Sequence, residues 1–202
     1  MRPLNFVLVG VGGQGILLSS DILCMVGMAS GYDVKKTDVH GMAQRGGSVI
    51  SHVRLAETVY SPVVPEGAAD YLLAFEKLEA CRWAHFLHNE GVAVVNDQAI
   101  PTLALAATRA TYPDDEQVRA ILSEHAKEYR LLSAGDLALE LGNQRVANVI
   151  LLGALSPFLS IPEDIWLDAI VSRVPPKARA INEEAFRMGR LIATGEAKRT
   201  PA

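Results

Sequence analysis

The chain has 202 residues, 50% of them hydrophobic, and its 19 Lys and Arg against 23 Asp and Glu give a net charge of −4. This balance offers no basic surface to a polyanion, which argues against a nucleic-acid-binding protein. Apolar runs such as residues 149–155 are far shorter than the ~20 residues that span a bilayer, and the start of the chain lacks a secretory pattern. We therefore expect a cytoplasmic protein with no membrane segment.

The elements alternate between strand and helix. Six segments have the apolar, β-branched character of strands: residues 4–10, 34–39, 48–55, 71–75, 92–95 and 129–133. Helical spacing of apolar residues predicts helices over 16–28, 77–87, 114–125, 136–141, 148–159, 162–171 and 177–192. The order predicts one domain over residues 1–202, a three-layer α/β/α Rossmann-like fold with a mostly parallel sheet and a helical C-terminal part.

A glycine-rich turn follows the first strand. The sequence GVGGQG, residues 10–15, fits G-x-G-x-x-G between a strand and a helix, which is the context that this pattern requires. Such a turn lets a phosphate approach the N-terminus of the helix, and Asp33 and Asp38 lie at about the distance at which an acidic residue binds the ribose of a dinucleotide. The same glycines also suit close packing of helix against strand. Gln14 has two interpretations as well, a ligand contact or a helix cap.

The segment HGMAQRGG, residues 40–47, has neither helical nor strand periodicity and is the most function-like loop of the chain. In a parallel sheet it can lie beside the glycine turn, so that Arg45 and the backbone of Gly12 and Gly13 together hold an anion. The alternative is that Arg45 pairs with a carboxylate or contacts a partner subunit. His40 lacks the spacing of a metal ligand, so a hydrogen-bonded structural histidine is the simpler interpretation.

Catalytic and metal-binding patterns are absent. No nucleophile-and-base pattern or pair of carboxylates appears, which predicts no catalytic residue. Cys24 and Cys81 are far apart and lack C-x-x-C spacing, so they cannot hold zinc or an iron–sulfur cluster unaided. We interpret them as buried free thiols and expect no metal site.

Taken together, five segments resemble the gamma-type domain of the 2-oxoacid ferredoxin oxidoreductase family, and within it the enzymes that act on indolepyruvate. They cover nearly the whole chain in order: VGVGGQGI (9–16), TDVHGMAQRGGSVISHVR (37–54), AFEKLEACR (74–82), GNQRVANVILLGAL (142–155) and INEEAFRMG (181–189). The second segment discriminates best, because many nucleotide-binding proteins share the glycine turn.

The resemblance implies an accessory, non-catalytic subunit of an enzyme that oxidatively decarboxylates aryl 2-oxoacids to acyl-CoA and passes electrons to ferredoxin. Thiamine diphosphate and iron–sulfur clusters then belong to a larger partner subunit, while this chain is expected to shape the assembly and to contribute to the coenzyme A site or the substrate site. The contact residues that the resemblance implies are Gly12, Gly13, Gln14, His40, Gln44, Arg45 and Gly46. The isolated chain is expected to be inactive, and a homodimer of it is left open.

Two other classes remain as alternatives on sequence grounds. A stand-alone nicotinamide or flavin oxidoreductase requires the glycine turn to bind a dinucleotide productively. A nucleotide-sensing module binds a ligand there without turnover. Equilibrium binding of a nicotinamide or flavin to the isolated chain separates the stand-alone oxidoreductase from the accessory subunit.

Overall fold

The computed structural model describes residues 1–40, 46–100 and 111–195. Its six strands form one sheet: β1 (Leu4–Val11), β2 (Asp33–His40), β3 (Ser48–Ala56), β4 (Ala69–Ala74), β5 (Leu87–Asn96) and β6 (Glu128–Leu132). The α-helices of the described residues are α1 (Ile16–Ala29), α2 (Lys77–Trp83), α3 (Asp115–His125), α4 (Ala134–Glu140), α5 (Ala147–Leu155), α6 (Glu163–Arg173) and α7 (Arg179–Thr194). In these ranges no helix is long and apolar enough to cross a membrane.

The sheet is mixed but mostly parallel, with the strand order β2-β3-β1-β4-β5-β6. The pairs β1–β4, β4–β5 and β5–β6 are parallel, whereas β3 runs antiparallel to both of its neighbours. The predicted α/β class and mostly parallel sheet are therefore confirmed. One arrangement differs from the simple parallel expectation: β2 and β3 form an antiparallel pair, so the segment 40–47 connects two antiparallel strands.

Successive side chains of β1 point to opposite faces of the sheet, and each face has its own hydrophobic core. Phe6 and Leu8 point into a large core that contains residues of α1, α5, α6 and α7, while Val7 and Val9 point into a smaller one under α2 and α3. Helices therefore cover both faces of the sheet, which confirms the three-layer prediction. The helical C-terminal part lies on one side, where α5 is buried from Asn148 to Leu155.

A close crossing joins α5 to α7. A Cβ added to Gly189 would lie 1.9 Å from the carbonyl oxygen of Ile150, and one added to Gly153 would lie 2.0 Å from that of Phe186. The backbones are in contact at this point, so only glycine fits there. Leu155 ends α5, and a 3-10 turn over Ser156–Phe158 follows.

Two predicted helices were too long. The helix predicted over 77–87 ends at Trp83, because a 3-10 turn follows and Leu87 already pairs with Ala69 in the sheet. The helix predicted over 148–159 ends at Leu155, since Pro157 has no N–H and its ring clashes with the preceding turn of a helix. The Ser156 hydroxyl donates to the carbonyl oxygen of Gly153 at 2.8 Å.

The cysteines are free and half-buried. Burial raises the pKa of Cys24 and of Cys81 to about 11, so both are protonated at neutral pH. Cys24 on α1 and Cys81 on α2 pack on opposite faces of the sheet, and they cannot ligate one cluster together.

Candidate functional site

The glycine turn connects β1 directly to α1. Gly13 has a φ of 108° and Gly15, the residue that precedes the helix, has a φ of 85°. L side chains rarely adopt either value, so glycine is needed at both positions for the chain to reverse this sharply. No side chain caps α1, and its first turn contains no acidic residue. The amide groups at this helix end are therefore open to an anion.

Gln14 ties the turn to the neighbouring strand ends. Its side-chain oxygen accepts the N–H of Val11 at 2.7 Å, and its side-chain nitrogen donates to the carbonyl of Phe75 at 2.7 Å and to Gln98 at 3.3 Å. Asn96 donates to the same carbonyl at 3.1 Å and to Gln98 at 3.0 Å. This amide network fixes the carboxyl ends of β1, β4 and β5 relative to one another. Gln14 caps neither end of α1.

The described end of the 40–47 segment lies against the glycine turn. The N–H of Gly12 donates to the carbonyl of Gly47 at 2.8 Å, and the N–H of Gly46 donates to the carbonyl of Gly12 at 3.5 Å. His40 ends β2 and pairs with Val49. The structure thus brings Gly12, Gly13, Gln14 and Gly46 together, while Gln44 and Arg45 lie outside the described residues.

The connections that leave β1 and β4 run in opposite directions along the sheet. From β1 the chain passes through α1, over the large core, toward β2 and β3; from β4 it passes through α2, over the small core, toward β5. Because β1 and β4 are parallel neighbours, a crevice opens between their carboxyl ends. Ligands of open α/β sheets bind in such crevices, at the topological switch point.

A cavity of about 450 Å3 occupies this crevice. Gly13, Gln14 and Gly15 form one wall, and Phe75, Gln98 and Ile100 from the ends of β4 and β5 form another. Its lining combines apolar surface with side-chain amides. This combination of an apolar wall and a few placed polar groups is typical of sites for small molecules and cofactors.

A second helix also begins at the cavity. Ala147 and Asn148 at the start of α5 line it, and neither α5 nor α1 has an acidic residue in its first turn. The 3-10 turn Gln144–Val146 runs directly into α5, and the N–H of Ala147 donates to the carbonyl of Gln144. By contrast, the carboxylates of Glu76 and Asp114 cap α2 and α3. Asn148 is 4% exposed and donates to the hydroxyl of Ser19 on α1 at 3.4 Å. The starts of α1 and α5 therefore adjoin one another.

Arg145 is the one cation among the cavity-lining residues of the described ranges. It is exposed and lies in the 3-10 turn just before α5, where its N–H donates to the side chain of Asn143 at 3.1 Å. No ion pair within the described ranges involves its guanidinium. Arg145 and the uncapped N-terminus of α1 thus present positive charge to the cavity.

The far wall of the cavity is held by a buried carboxylate. Glu76, 1% exposed, accepts the N–H of Ile100 at 2.9 Å and the N–H of Glu79 at 2.9 Å, and the hydroxyl of Tyr112 also donates to it. Burial, and then this carboxylate, raise the pKa of Tyr112 well above its usual value, so its hydroxyl stays a donor. Ile100 is therefore fixed at the cavity wall.

The dinucleotide alternative is not favoured by the placement of its acidic residues. Asp33 lies at the opposite end of β2 from the turn, paired with Ala56, and its carboxylate accepts the N–H of Val59 at 2.7 Å. Asp38 accepts the hydroxyl of Ser51 at 2.6 Å. Strand β3 separates β2 from β1, so neither carboxylate stands where a Rossmann enzyme holds the ribose.

Sequence reasoning missed Arg145, Asn148 and Gln98 as residues of the site. The first two lie in the segment GNQRVANVILLGAL, which contributed to the resemblance without being assigned a role. Gln98 lies in no segment that drew attention. All three come from parts of the chain distant from the glycine turn, so only the folded sheet brings them to the cavity.

The fold and the cavity define a Rossmann-like domain with a candidate ligand site at the switch point. Residues 5–192 match the family described as pyruvate ferredoxin/flavodoxin oxidoreductase. The chain is also 40% identical over 192 residues to the indolepyruvate oxidoreductase subunit IorB of Thermococcus kodakarensis, a match that covers 94% of this chain and 95% of that protein.

Two solved structures share the fold. The gamma subunit of a keto/oxoacid ferredoxin oxidoreductase from Geobacter sulfurreducens superposes with a TM-score of 0.70 and 22% identity, over 95% of this chain and 99% of that one. A 2-oxoglutarate:ferredoxin oxidoreductase from Magnetococcus marinus, solved with 2-oxoglutarate, coenzyme A and succinyl-CoA bound, gives a TM-score of 0.76 and 21% identity, over 100% of this chain and 32% of that one.

The chain belongs to the pyruvate ferredoxin/flavodoxin oxidoreductase family. This confirms the predicted family and the predicted class, an accessory subunit of an oxidoreductase that acts on 2-oxoacids. The enzyme is accordingly an assembly of more than one kind of chain.

Proposed function

We propose that this chain is the accessory subunit of an indolepyruvate oxidoreductase and that the cavity beside its glycine turn receives the phosphate-bearing part of coenzyme A. The observation that carries the proposal is the convergence of the uncapped N-terminus of α1 and Arg145 on one cavity, which has no acidic residue among its described lining residues. Helix N-termini and arginine are the groups that bind phosphate most often.

The shape of the cavity suits this ligand. The backbone amides at Gly13 and Gly15 offer donors to phosphate oxygens, while Phe75 and Ile100 offer apolar surface to the rest of the molecule. A coenzyme A is larger than about 450 Å3 can enclose, so part of it is expected to extend out of the crevice.

The proposed contacts include the seven residues that the resemblance implies. Gly12, Gly13 and Gly46 lie together at the turn, and Gln14 contributes by holding the turn in shape, since its carboxamide is already used in internal hydrogen bonds. His40, Gln44 and Arg45 remain proposed contacts. The positive charge of Arg45 is expected to add to that of Arg145 at the phosphates.

The partner supplies the rest of the chemistry. We place thiamine diphosphate and the iron–sulfur clusters in a larger subunit, which also passes electrons to ferredoxin. Oxidative decarboxylation of the 2-oxoacid then occurs on that subunit, and the residues of this chain bind and orient the coenzyme A that accepts the acyl group.

The test is steady-state kinetics on the assembled enzyme with indolepyruvate, coenzyme A and a redox dye. Arg45→Ala and Arg145→Ala are each expected to raise the KM for coenzyme A about tenfold, the usual consequence of losing a charge-assisted hydrogen bond. The KM for indolepyruvate is expected to stay unchanged, because the oxoacid binds at the other subunit.

Arg119→Ala provides the matched control. Arg119 is exposed on α3, over the opposite core, so its removal deletes the same charge without touching the cavity. An unchanged KM for coenzyme A in both Arg45→Ala and Arg145→Ala would contradict the proposal.

A further inference from the structure

Glu79 is a fully buried carboxylate outside the cavity. It lies in α2 with 0% of its surface exposed, and both of its oxygens are used. One oxygen accepts the guanidinium of Arg82 at 2.7 Å, and the other accepts the hydroxyl of Ser48 at 2.5 Å and the indole N–H of Trp83 at 3.2 Å. Burying a charge is costly unless it is paired and hydrogen-bonded in this way, so the arrangement needs an explanation.

Ser48 is the informative partner. It is the first residue of β3 and pairs with Val11, the last residue of β1. The residue before it, Gly47, accepts the N–H of Gly12 in the glycine turn at 2.8 Å. Glu79 therefore holds the point at which the chain leaves the 40–47 segment and enters the sheet.

The contact also crosses layers of the fold. Helix α2 covers the small core on one face of the sheet, whereas α1 covers the large core on the other. The hydrogen bond that Ser48 donates to Glu79 of α2 fixes the start of β3 from the face of the sheet opposite α1. An apolar residue at position 79 would fill the space but would not set the position of a hydroxyl, because apolar contacts have no direction.

We propose that Glu79 is a positioning residue for coenzyme A: through Ser48 it fixes where Gly46 and Gly47 meet the glycine turn. The inference rests on the proposed function, since it assumes that the glycine turn contacts coenzyme A. Glu79 itself touches no ligand, because it is enclosed by Ser48, Arg82 and Trp83.

The test uses the assembled enzyme and a double-mutant cycle on Ser48 and Glu79. Ser48→Ala is expected to raise the KM for coenzyme A about threefold to tenfold, with kcat and the KM for indolepyruvate within about twofold of the parent. Glu79→Gln is expected to change the same constant in the same direction. Because both act through one hydrogen bond, the KM of the double variant should stay within about twofold of the larger single effect.

Two further variants separate loss of the positioning hydrogen bond from a general change in packing or folding. Ser48→Thr keeps the hydroxyl and is expected to restore the parent KM, which an effect of altered packing would not do. Ser123→Ala makes the same change at an exposed serine on α3 and should leave every constant unchanged. If Glu79→Gln does not assemble, Ser48→Ala against Ser48→Thr decides the question alone.

The outcomes distinguish this inference from the function on which it rests. If Arg145→Ala raises the KM for coenzyme A and Ser48→Ala does not, the cavity binds the ligand and the positioning role of Glu79 is wrong. Effects of Ser48 and Glu79 that multiply in the double variant would also overturn it. If Arg45→Ala, Arg145→Ala and Ser48→Ala all leave the KM for coenzyme A unchanged, the proposed function fails and the inference fails with it.

Discussion

Two groups of glycines in this protein serve different physical purposes. At the crossing of α5 and α7, Gly153 and Gly189 let two helix backbones touch, with each absent Cβ replaced by a carbonyl of the other helix. In the turn between β1 and α1, a Cβ on Gly13 would meet nothing within 4 Å, but its φ of 108° is one that L side chains rarely adopt. The first group makes a close contact, and the second gives the chain a turn.

The comparison shows why a glycine pattern alone does not identify a function. The crossing glycines are enclosed by the large core, so they affect stability and leave the cavity untouched. The turn glycines leave open space beside an uncapped helix end, which is where a ligand can approach. Substitutions in the two groups should therefore change different measured quantities.

The largest effect on stability is expected for a substitution at the crossing of α5 and α7. Gly189→Ala would bring a methyl group to 1.9 Å from the carbonyl oxygen of Ile150, and two backbones must separate to relieve the clash. We expect a loss of at least about 3 kcal/mol in the free energy of unfolding, the upper end for overpacking in a core. Urea unfolding of the isolated chain measures it.

Gly135→Ala is the matched control for that substitution. Gly135 lies in α4 with nothing within 4 Å of a built Cβ, so alanine there should be neutral or stabilise by up to about 1 kcal/mol. Equal losses in the two variants would contradict the assignment of Gly189 to a backbone contact.

An intermediate effect is expected in the turn. Gly13→Ala strains the backbone and should lower the free energy of unfolding by about 1 to 2 kcal/mol. Its larger consequence is expected in the assembled enzyme, as a KM for coenzyme A raised about tenfold, because the amides of the turn are displaced. Loss of stability without any change in this KM would assign the turn to packing alone.

The smallest effect is expected at His52, on β3 and away from both glycine groups. Burial lowers the pKa of its imidazole from the ordinary value of 6.5, and its ring nitrogen accepts the N–H of Val64 at 3.4 Å. A lowered pKa means that the unfolded chain binds the proton more tightly. The stabilisation is thus complete above pH 6.5 and is lost as the pH falls through the pKa of the folded state.

Unfolding of the parent and of His52→Asn at several pH values isolates this contribution. Asparagine retains an acceptor and does not titrate, so the stability of the variant should fall less than that of the parent between pH 7 and about pH 5. Parallel curves of stability against pH for the two proteins would show that His52 is not responsible for the loss of stability at low pH.

Much of the fold followed from pattern alone. The strand over Leu4–Val11 and the helix from Ile16 were predictable because a β-branched run, a glycine turn and helical spacing follow one another there. The antiparallel placement of β3 was not, since the alternation in SVISHVRL indicates a strand without indicating its partner. Alternation fixes the faces of a strand, while its direction depends on contacts with distant strands.

The candidate site was predictable only in its local part. The glycine turn and the 40–47 segment are continuous stretches with unusual composition, so the sequence pointed to them. Arg145 and Glu79 carried no local signal, because an exposed arginine and a helical glutamate are ordinary residues until the fold places one at a cavity and buries the other. Their roles depend on neighbours far away in the chain.

The most direct test of the account is reconstitution of activity. The tagged chain, its co-purified large subunit and the mixture of the two are each assayed for coenzyme A-dependent reduction of a dye by indolepyruvate. The account predicts activity in the mixture alone, with a KM for coenzyme A that Arg145→Ala raises about tenfold. Turnover by this chain alone, or a mixture whose activity does not require this chain, would contradict it.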